Sequence, residues 1–186
     1  MKWPKVQLED ICIKISDGEH GSVKRTAKGH IFLNAKNINK EGNIDWGNVT
    51  FISPADHERI YKRCNPETDD ILVTTTGTIG NIAIVPKVEP FSMDRGITLL
   101  KLKKELINST YLFYLLRSEY MHACMLNKVH ASAIGHLFLS QVKTLPVLVP
   151  TKGLQNQFAD FVQQLDKSKY RGLRSLVSME ELYHLL

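Results

Sequence analysis

One stretch between Asp69 and Val85 constrains the fold more than any other. It contains two apolar, β-branched runs, 71–75 and 81–85, separated by five residues that include Gly77 and Gly80. Glycine reaches backbone angles that a side chain would forbid, so the pattern predicts a strand, a tight turn and a second strand. The tip of this hairpin presents hydroxyls and bare backbone amides, which suit either an ordinary threonine-rich turn or contact with phosphates and base edges. The tip residues are Thr75, Thr76, Gly77 and Thr78.

Charge is unevenly distributed along the 186 residues, whose formal net charge is +5. Residues 20–40 and 120–159 contain no Asp or Glu, yet both stretches carry several lysines or histidines. Such stretches form either a solvated face or, if the fold brings them together, a surface for a polyanion. The hydrophobic fraction of 43% and charged fraction of 23% are ordinary for a folded globular chain.

The first acid-free stretch contains an amide-rich segment, Asn34 to Asn39, around Lys36. Asparagine can pair with adenine through two hydrogen bonds, and lysine can reach guanine or a phosphate. Asn34, Lys36 and Asn37 are therefore candidate DNA contacts, although asparagines also collect in turns. The glycine-punctuated loop 16–21 just before this stretch is either a plain connection or a DNA-facing tip.

The remaining elements predict an α/β (α+β) domain over residues 1–150, with mixed and antiparallel strands and short helices. Ser53-Pro54 has the pattern of a capped helix start. Leu112, Leu115, Leu116 and Tyr120 recur at helical spacing and predict one buried stripe, whereas residues 128–135 are predicted to form a loop.

Residues 151–186 form a separate helical segment in this prediction. Its apolar side chains repeat at three and four residues, which indicates one or two helices that pack on another helix of this chain or of a partner. The residues expected at that contact are Leu154, Phe158, Phe161, Val162, Leu165, Leu173 and Leu176.

Several enzyme classes lack their usual sequence patterns here. The chain has no phosphate-binding loop motif, and none of its acidic residues stands two positions before a lysine, as in common nucleases. The spacing of His122, Cys124, His130 and His136 does not match paired zinc ligands, so no metal site is predicted. Three widely spaced cysteines, the absence of a signal peptide and the absence of a long apolar run predict a cytoplasmic protein with reduced thiols.

The order of these pieces resembles one target-recognition repeat of the specificity subunit of type I restriction-modification systems. The resemblance rests on short motifs in a fixed order along nearly the whole chain. They are Trp3 with Val6 and Leu8, Ser16-Asp17-Gly18, Asn37-Ile38 with Gly42 and Ile44-Asp45, Asp69 to Leu72 with Gly77 to Gly80, Leu139 to Leu145, Val147 to Pro150, and Leu154 with Gln157.

The resemblance implies a DNA target-recognition domain followed by a helix that acts as spacer and assembly element. It also implies no catalysis and no cofactor in this chain, because methyltransferase subunits use S-adenosylmethionine and a restriction subunit uses ATP. One repeat reads one half of a split duplex target, which implies a homodimer or a second recognition repeat as partner.

The leading hypothesis is therefore sequence-specific recognition of double-stranded DNA. The residues expected to contact DNA are Lys24, Arg25, Lys28, Asn34, Lys36, Asn37, Thr75, Thr76, Gly77, Thr78, Arg95, Lys128, His130 and Ser132. Two alternatives stay open: an assembly or regulatory fragment that binds the methyltransferase without reading DNA, and the recognition part of a fused methyltransferase-nuclease.

Overall fold

A computed structural model describes residues 3–130 and 135–165, with His130 described by its backbone alone. The strands are β1 (Lys5–Gln7), β2 (Cys12–Asp17), β3 (His30–Leu33), β4 (Thr50–Ile52), β5 (Ile71–Thr74), β6 (Ile82–Ile84), β7 (Ser92–Met93), β8 (Ile97–Leu102) and β9 (Pro146–Leu148). The helices are α1 (Pro54–Arg63), α2 (Ser109–Leu116), α3 (Glu119–His130), α4 (Leu139–Lys143) and a terminal helix described over 152–165. Two 3-10 turns cover Leu8–Ile11 and Ala35–Asn37.

The central layer is a four-stranded antiparallel sheet in the order β2-β8-β5-β6. Side chains alternate along β5, because successive residues of a strand point to opposite faces. Ile71 and Val73 join a cluster with residues of α2, α3 and α4, whereas Leu72 joins a second cluster with residues of β3 and β7. Both faces are buried, which explains why the predicted hairpin reads as a continuous apolar run rather than an alternating one.

A three-stranded sheet in the order β4-β3-β7 lies against the second of these clusters. Helix α1 packs on it through Ile60, which clusters with Phe32 and Ile52. The predicted start of this helix is confirmed: the Ser53 hydroxyl accepts a hydrogen bond from the Asp56 N–H at 3.1 Å, and Pro54 occupies the first turn.

A third sheet pairs the first strand with the last, with Val6 opposite Val147. This pairing brings the start of the described chain next to the start of the terminal helix. The sheet therefore joins residues 5–7 to residues 146–148.

Two predictions about the region after α2 are wrong. Helix α2 ends at Leu116 and α3 starts at Glu119, so Tyr120 leaves the buried stripe and is 56% exposed. The predicted loop 128–135 begins later than expected, because Lys128 to His130 form the last turn of α3.

The terminal helix has two different faces. Gln155, Ala159 and Val162 are buried against the domain. The side chain of Gln155 accepts a hydrogen bond from the Asn108 N–H at 2.8 Å and donates to the carbonyl of Pro150 at 2.9 Å. The predicted partner contact at Val162 is therefore wrong, since this residue is only 8% exposed within its own chain.

The adjacent stripe of this helix, about 100° from the buried residues, stays largely open. Leu154, Phe158, Phe161 and Leu165 are 38–58% exposed. Of these, Phe158 also meets the rings of Tyr111 and Tyr114 edge-on, with centroids 5.9 and 5.7 Å away. The other two predicted contacts, Leu173 and Leu176, lie outside the described residues.

Candidate nucleic-acid interface

One end of the central sheet gathers most of the loops that the sequence singles out. Strand β8 is antiparallel to both β2 and β5, so the carboxyl ends of β2 and β5 lie beside the amino end of β8. Three segments therefore meet at this edge: the loop after Asp17, the turn 75–80, and the turn 94–96 that enters β8.

Backbone hydrogen bonds lock these segments together. The Arg95 N–H donates to the Glu19 carbonyl at 2.9 Å, and the Thr75 N–H donates to the Gly96 carbonyl at 2.8 Å. A fourth segment joins them from the far end of the sequence, because the Leu137 N–H donates to the Thr75 carbonyl at 3.0 Å. We call this surface the sheet-end surface, consisting of residues 17–25, 34–37, 75–80, 94–96 and 135–140.

Two adjoining cavities open on the sheet-end surface. The first, of about 520 Å³, is lined by Asp17, His20, Thr76, Arg95, Gly135, His136, Phe138, Leu139 and Ser140. The second, of about 370 Å³, is lined by Glu19, His20, Gly21, Ser22, Val23, Arg25, Phe32, Asp94 and Arg95. Both cavities share His20 and Arg95, which therefore stand at their common boundary.

Three of the predicted DNA-contact residues line these two cavities, and a fourth, Lys36, lies on an adjacent turn. Thr76 and Arg95 line the first cavity and Arg25 lines the second, where its guanidinium lies 4.1 Å from the centre of the Phe32 ring. A Cβ added to Gly96 would lie 2.5 Å from Thr76 Oγ1 and 3.2 Å from Ala35 Cβ. The turn that carries Lys36 is thus next to Thr76.

Two acidic groups of this surface, Glu19 and Asp94, are engaged within the protein. The Glu19 carboxylate accepts hydrogen bonds from Arg59 at 3.1 Å and from the Gly21 N–H at 2.8 Å. Burial raises the pKa of the Asp94 carboxyl, although the Gly96 N–H and the nearby Arg25 and Arg95 act in the opposite direction. In contrast, the guanidinium of Arg95 donates no hydrogen bond to any residue of the described ranges, and its side chain is exposed. A positive charge is thus left for an external anion.

Two of the predicted contacts are wrong because the side chains are buried. Asn37 is 2% exposed, and its amide donates to the carbonyl of Asn48 at 3.1 Å while its Oδ1 accepts from the Asn34 N–H at 2.9 Å. It therefore holds the turn in place instead of reaching a base. Thr75 is 1% exposed, whereas its neighbour Thr76 is half-buried.

The other predicted contacts have mixed surroundings. Lys24 and Lys28 are exposed on either side of Thr26, whose N–H donates to the Phe51 carbonyl of β4, so they lie beside that strand. Asn34 is half-buried, whereas Gly77 and Thr78 are exposed at the hairpin tip. Lys128 donates to the Thr144 hydroxyl at 2.9 Å. The side chain of His130 and all of Ser132 lie outside the description.

Sequence reasoning missed seven of the nine residues that line the first cavity: Asp17, His20, Gly135, His136, Phe138, Leu139 and Ser140. Asp17 and His20 lie in the loop 16–21, which the sequence left as either a plain connection or a DNA-facing tip. Only its proximity to the hairpin tip in the fold identifies these two residues. The other five lie within the second acid-free stretch, residues 120–159, and no local pattern places them beside the hairpin.

Within residues 3–130 and 135–165, no group of three His, Cys, Asp or Glu side chains could hold a metal ion. In the same part of the chain, no helix is long and apolar enough to cross a membrane.

Comparison with known proteins gives a family and a fold. Residues 2–173 match the family described as type I restriction modification DNA specificity domain. A search among curated proteins finds no match. Among solved structures, the HsdS subunit from Thermoanaerobacter tengcongensis superposes with a TM-score of 0.65 at 17% identity, over 94% of this chain and 44% of that one.

The type I restriction-modification system S subunit from M. genitalium gives a TM-score of 0.59 at 17% identity, over 96% of this chain and 42% of that chain. A structure described as the basis of complex assembly and conformational transition of the type I R-M system gives the same TM-score and identity over 94% and 44%. The chain therefore spans less than half the length of these proteins, and at such identity they show the fold alone. They confirm the mixed α+β architecture, and the family match shows that this chain belongs to the type I restriction modification DNA specificity domain family.

Proposed function

We propose that the chain recognises a sequence in double-stranded DNA through the sheet-end surface, as the non-catalytic specificity component of a type I restriction-modification system. The observation that carries the proposal is the meeting of Arg25, Lys36, Thr76 and Arg95 at one edge of the sheet in a member of this family. Basic side chains hold phosphates and set the register, while hydroxyl and guanidinium groups can reach base edges.

The direct test is selection from random duplex DNA by the purified chain across a salt titration. A short enriched motif whose affinity falls as salt rises supports the proposal, because each phosphate contact releases counterions. Retention of all sequences alike, or of none, would contradict sequence recognition.

Replacing Lys36 or Arg95 by alanine should weaken binding to the enriched duplex by about threefold to tenfold, and should lower the slope of log affinity against log salt by about 1 if the lost contact is a phosphate. Fluorescence anisotropy over 50–200 mM salt measures both quantities. Lys87→Ala is the matched control, because this exposed lysine follows the end of β6 that lies opposite the sheet-end surface. An equal loss in the control would remove the specific role of this surface.

We further propose that the open stripe of the terminal helix, formed by Leu154, Phe158, Phe161 and Leu165, binds a helix of a methyltransferase subunit or of a second recognition repeat. S-adenosylmethionine and ATP would then belong to the methyltransferase and restriction subunits. Residues 1–150 would recognise DNA, and residues 151–186 would bind the partner subunit or the second repeat. The exposure of four large apolar side chains on one helix face supports this division, since such a face is seldom left in water.

Phe161→Ser should weaken capture of the cognate methyltransferase subunit by roughly tenfold or more and leave duplex binding by the isolated chain unchanged, because buried aromatic residues dominate interface energies. Gln163→Ser is the control, since helical spacing places Gln163 about 180° away from the centre of the apolar stripe. Undiminished capture by the Phe161 variant would assign assembly to another surface.

A further inference from the structure

The first cavity of the sheet-end surface is a concavity, and recognition of bases within a DNA groove does not require one. Base edges in a duplex groove are reached by helices, strands or loops that protrude into it. A concavity of about 520 Å³ in the middle of such a surface instead suits a group that enters the protein. Its lining combines aromatic, hydroxyl and charged side chains, so the chemistry of that group can be inferred.

One wall of the cavity is an aromatic platform. Phe138 is 40% exposed, and His136 meets its ring edge-on at 4.9 Å and 80°. The ring is held on a fixed backbone, because the Phe138 N–H donates to Gln141 Oε1 at 2.9 Å and the neighbouring Leu137 is fully buried. A half-exposed ring on a fixed backbone is the arrangement on which proteins stack unpaired bases.

A second wall carries hydrogen-bonding groups. Asp17 Oδ1 accepts a hydrogen bond from the Thr98 hydroxyl at 2.7 Å, and Asp17 Oδ2 lies 3.6 Å from His20 Nε2. The carboxylate is thus oriented, and it retains acceptor capacity toward the cavity. An acceptor of this kind suits the exocyclic amine of adenine, cytosine or guanine, which thymine lacks.

The second cavity carries side chains that could bind the phosphate of a nucleotide whose base occupies the first cavity. It shares His20 and Arg95 with the first cavity and adds Arg25 and Ser22. Two carboxylates also line it: Glu19 accepts from Arg59 and the Gly21 N–H, and Asp94 accepts from the Gly96 N–H at 2.9 Å. Two guanidinium groups and a hydroxyl are therefore placed for a phosphate one step along the same chain.

We propose that the first cavity binds one amine-bearing nucleobase displaced from the DNA stack, with its phosphate in the second cavity. The inference rests on the proposed DNA recognition and adds a way of reading one position of the target. Phe138 stacks on the base, Asp17 accepts from its exocyclic amine, and Arg95 joins the two subsites. A free nucleotide has the same chemistry, so the test includes both sources.

The test mispairs the enriched duplex one position at a time, by changing the base opposite each candidate. At a groove-read position a mismatch weakens binding. At the extruded position it should strengthen binding about tenfold, because the cost of unpairing has already been met. Phe138→Ala should abolish that gain and weaken binding of the matched duplex by roughly tenfold, since base–aromatic stacking contributes most there.

Trp3→Ala is the control, because Trp3 is 44% exposed and lines neither cavity. Asp17→Asn, which can keep an acceptor for Thr98, should reduce the preference for an amine-bearing base over thymine at the extruded position by about tenfold. The inference is overturned if no mismatch raises the affinity and if Phe138→Ala binds the matched duplex as tightly as Trp3→Ala does. Recognition through the DNA groove would be unaffected by that result.

The second arm titrates the DNA-free chain with 5′-AMP and 5′-TMP and follows protein NMR shifts. Saturable shifts with AMP, absent with TMP and lost in Phe138→Ala, support the cavity as a base site. If AMP binds but no duplex does, the proposed DNA recognition fails and the cavity holds a free nucleotide, which overturns the displaced base. If duplex DNA binds while neither the mismatches nor AMP respond, only the cavity inference fails.

Discussion

Replacing Gly18 by alanine is expected to lower the free energy of unfolding by about 3 kcal/mol and to shift the melting temperature down by roughly 6–12 °C. A Cβ at this position would stand 2.1 Å from the carbonyl oxygen of Asp94 and 2.3 Å from that of Met93. Real Cβ contacts are essentially never shorter than 3.0 Å, and backbone atoms cannot turn away as the end of a side chain can. The segment around Gly18 must therefore move away from the segment at residues 93–94.

The separation would also damage the sheet-end surface. Beside Gly18, the Glu19 N–H donates to the Met93 carbonyl at 2.8 Å, and the Glu19 carbonyl accepts from the Arg95 N–H at 2.9 Å. Moving these strands apart breaks both bonds and displaces Arg95. The variant should therefore bind the enriched duplex more weakly even at temperatures where it is still folded.

Gly153→Ala is the matched control for urea unfolding. This glycine lies in the terminal helix, and a Cβ there would meet nothing within 4 Å. Alanine should stabilise the helix by about 0.5–1 kcal/mol, because glycine loses more backbone freedom on folding. A midpoint for the Gly18 variant that equals the wild-type midpoint would show that the close approach is relieved without cost.

Replacing Lys101 by methionine is expected to cost about 3–5 kcal/mol at pH 7, because it strips a buried carboxylate of its partner. Lys101 Nζ lies 3.1 Å from Asp70 Oδ2 and 2.9 Å from Glu67 Oε2, and the Asp70 side chain is only 4% exposed. Burial lowers the pKa of the Lys101 ammonium, but the hydrogen bonds to Glu67 and Asp70 outweigh it and raise that pKa. The ammonium is thus charged in the folded protein.

The loss should shrink as the pH falls. Burial already raises the pKa of Asp70 above 3.8, and Lys101 and the Glu67 N–H oppose that rise. Without Lys101 the folded carboxyl holds its proton at higher pH than the unfolded one. Over that interval the folded state binds more protons, so the stability of the variant relative to wild type increases with acidification. Urea titrations from pH 7.5 to pH 4.5 measure this slope.

An exposed pair provides the control. Lys104 and Asp69 lie 3.2 Å apart with side chains 63% and 53% exposed, so Lys104→Met should change stability by less than about 1 kcal/mol. Combining Asp70→Asn with Lys101→Met removes the unpaired charge and should restore most of the loss. Equal effects of the Lys101 and Lys104 variants would show that burial of the pair is energetically unimportant.

The sequence by itself determined the local elements whose causes are local. The hairpin 71–85 follows from two β-branched runs around Gly77 and Gly80, and α1 follows from Ser53 and Pro54 at its start. The family could also be inferred, because it rests on the order of many short motifs. None of these conclusions needs contacts between distant residues.

Only the tertiary structure decided which side chains are available. Asn37 and Lys36 are neighbours in sequence, yet the first is buried in the turn it holds and the second is exposed. Val162 and Phe161 likewise share one apolar repeat, but Val162 is buried against the domain and Phe161 is largely exposed. Periodicity identifies an apolar repeat without saying what covers each part of it.

The two cavities also depend on the tertiary structure. Asp17 and Phe138 are more than a hundred residues apart, and they line one cavity because antiparallel pairing brings the ends of β2 and β5 together while Leu137 bonds to Thr75. Local propensity cannot encode such a meeting, because it is set by strand order and long-range hydrogen bonds. The residue types for recognition were visible in the sequence, and the fold decided which of them share one surface.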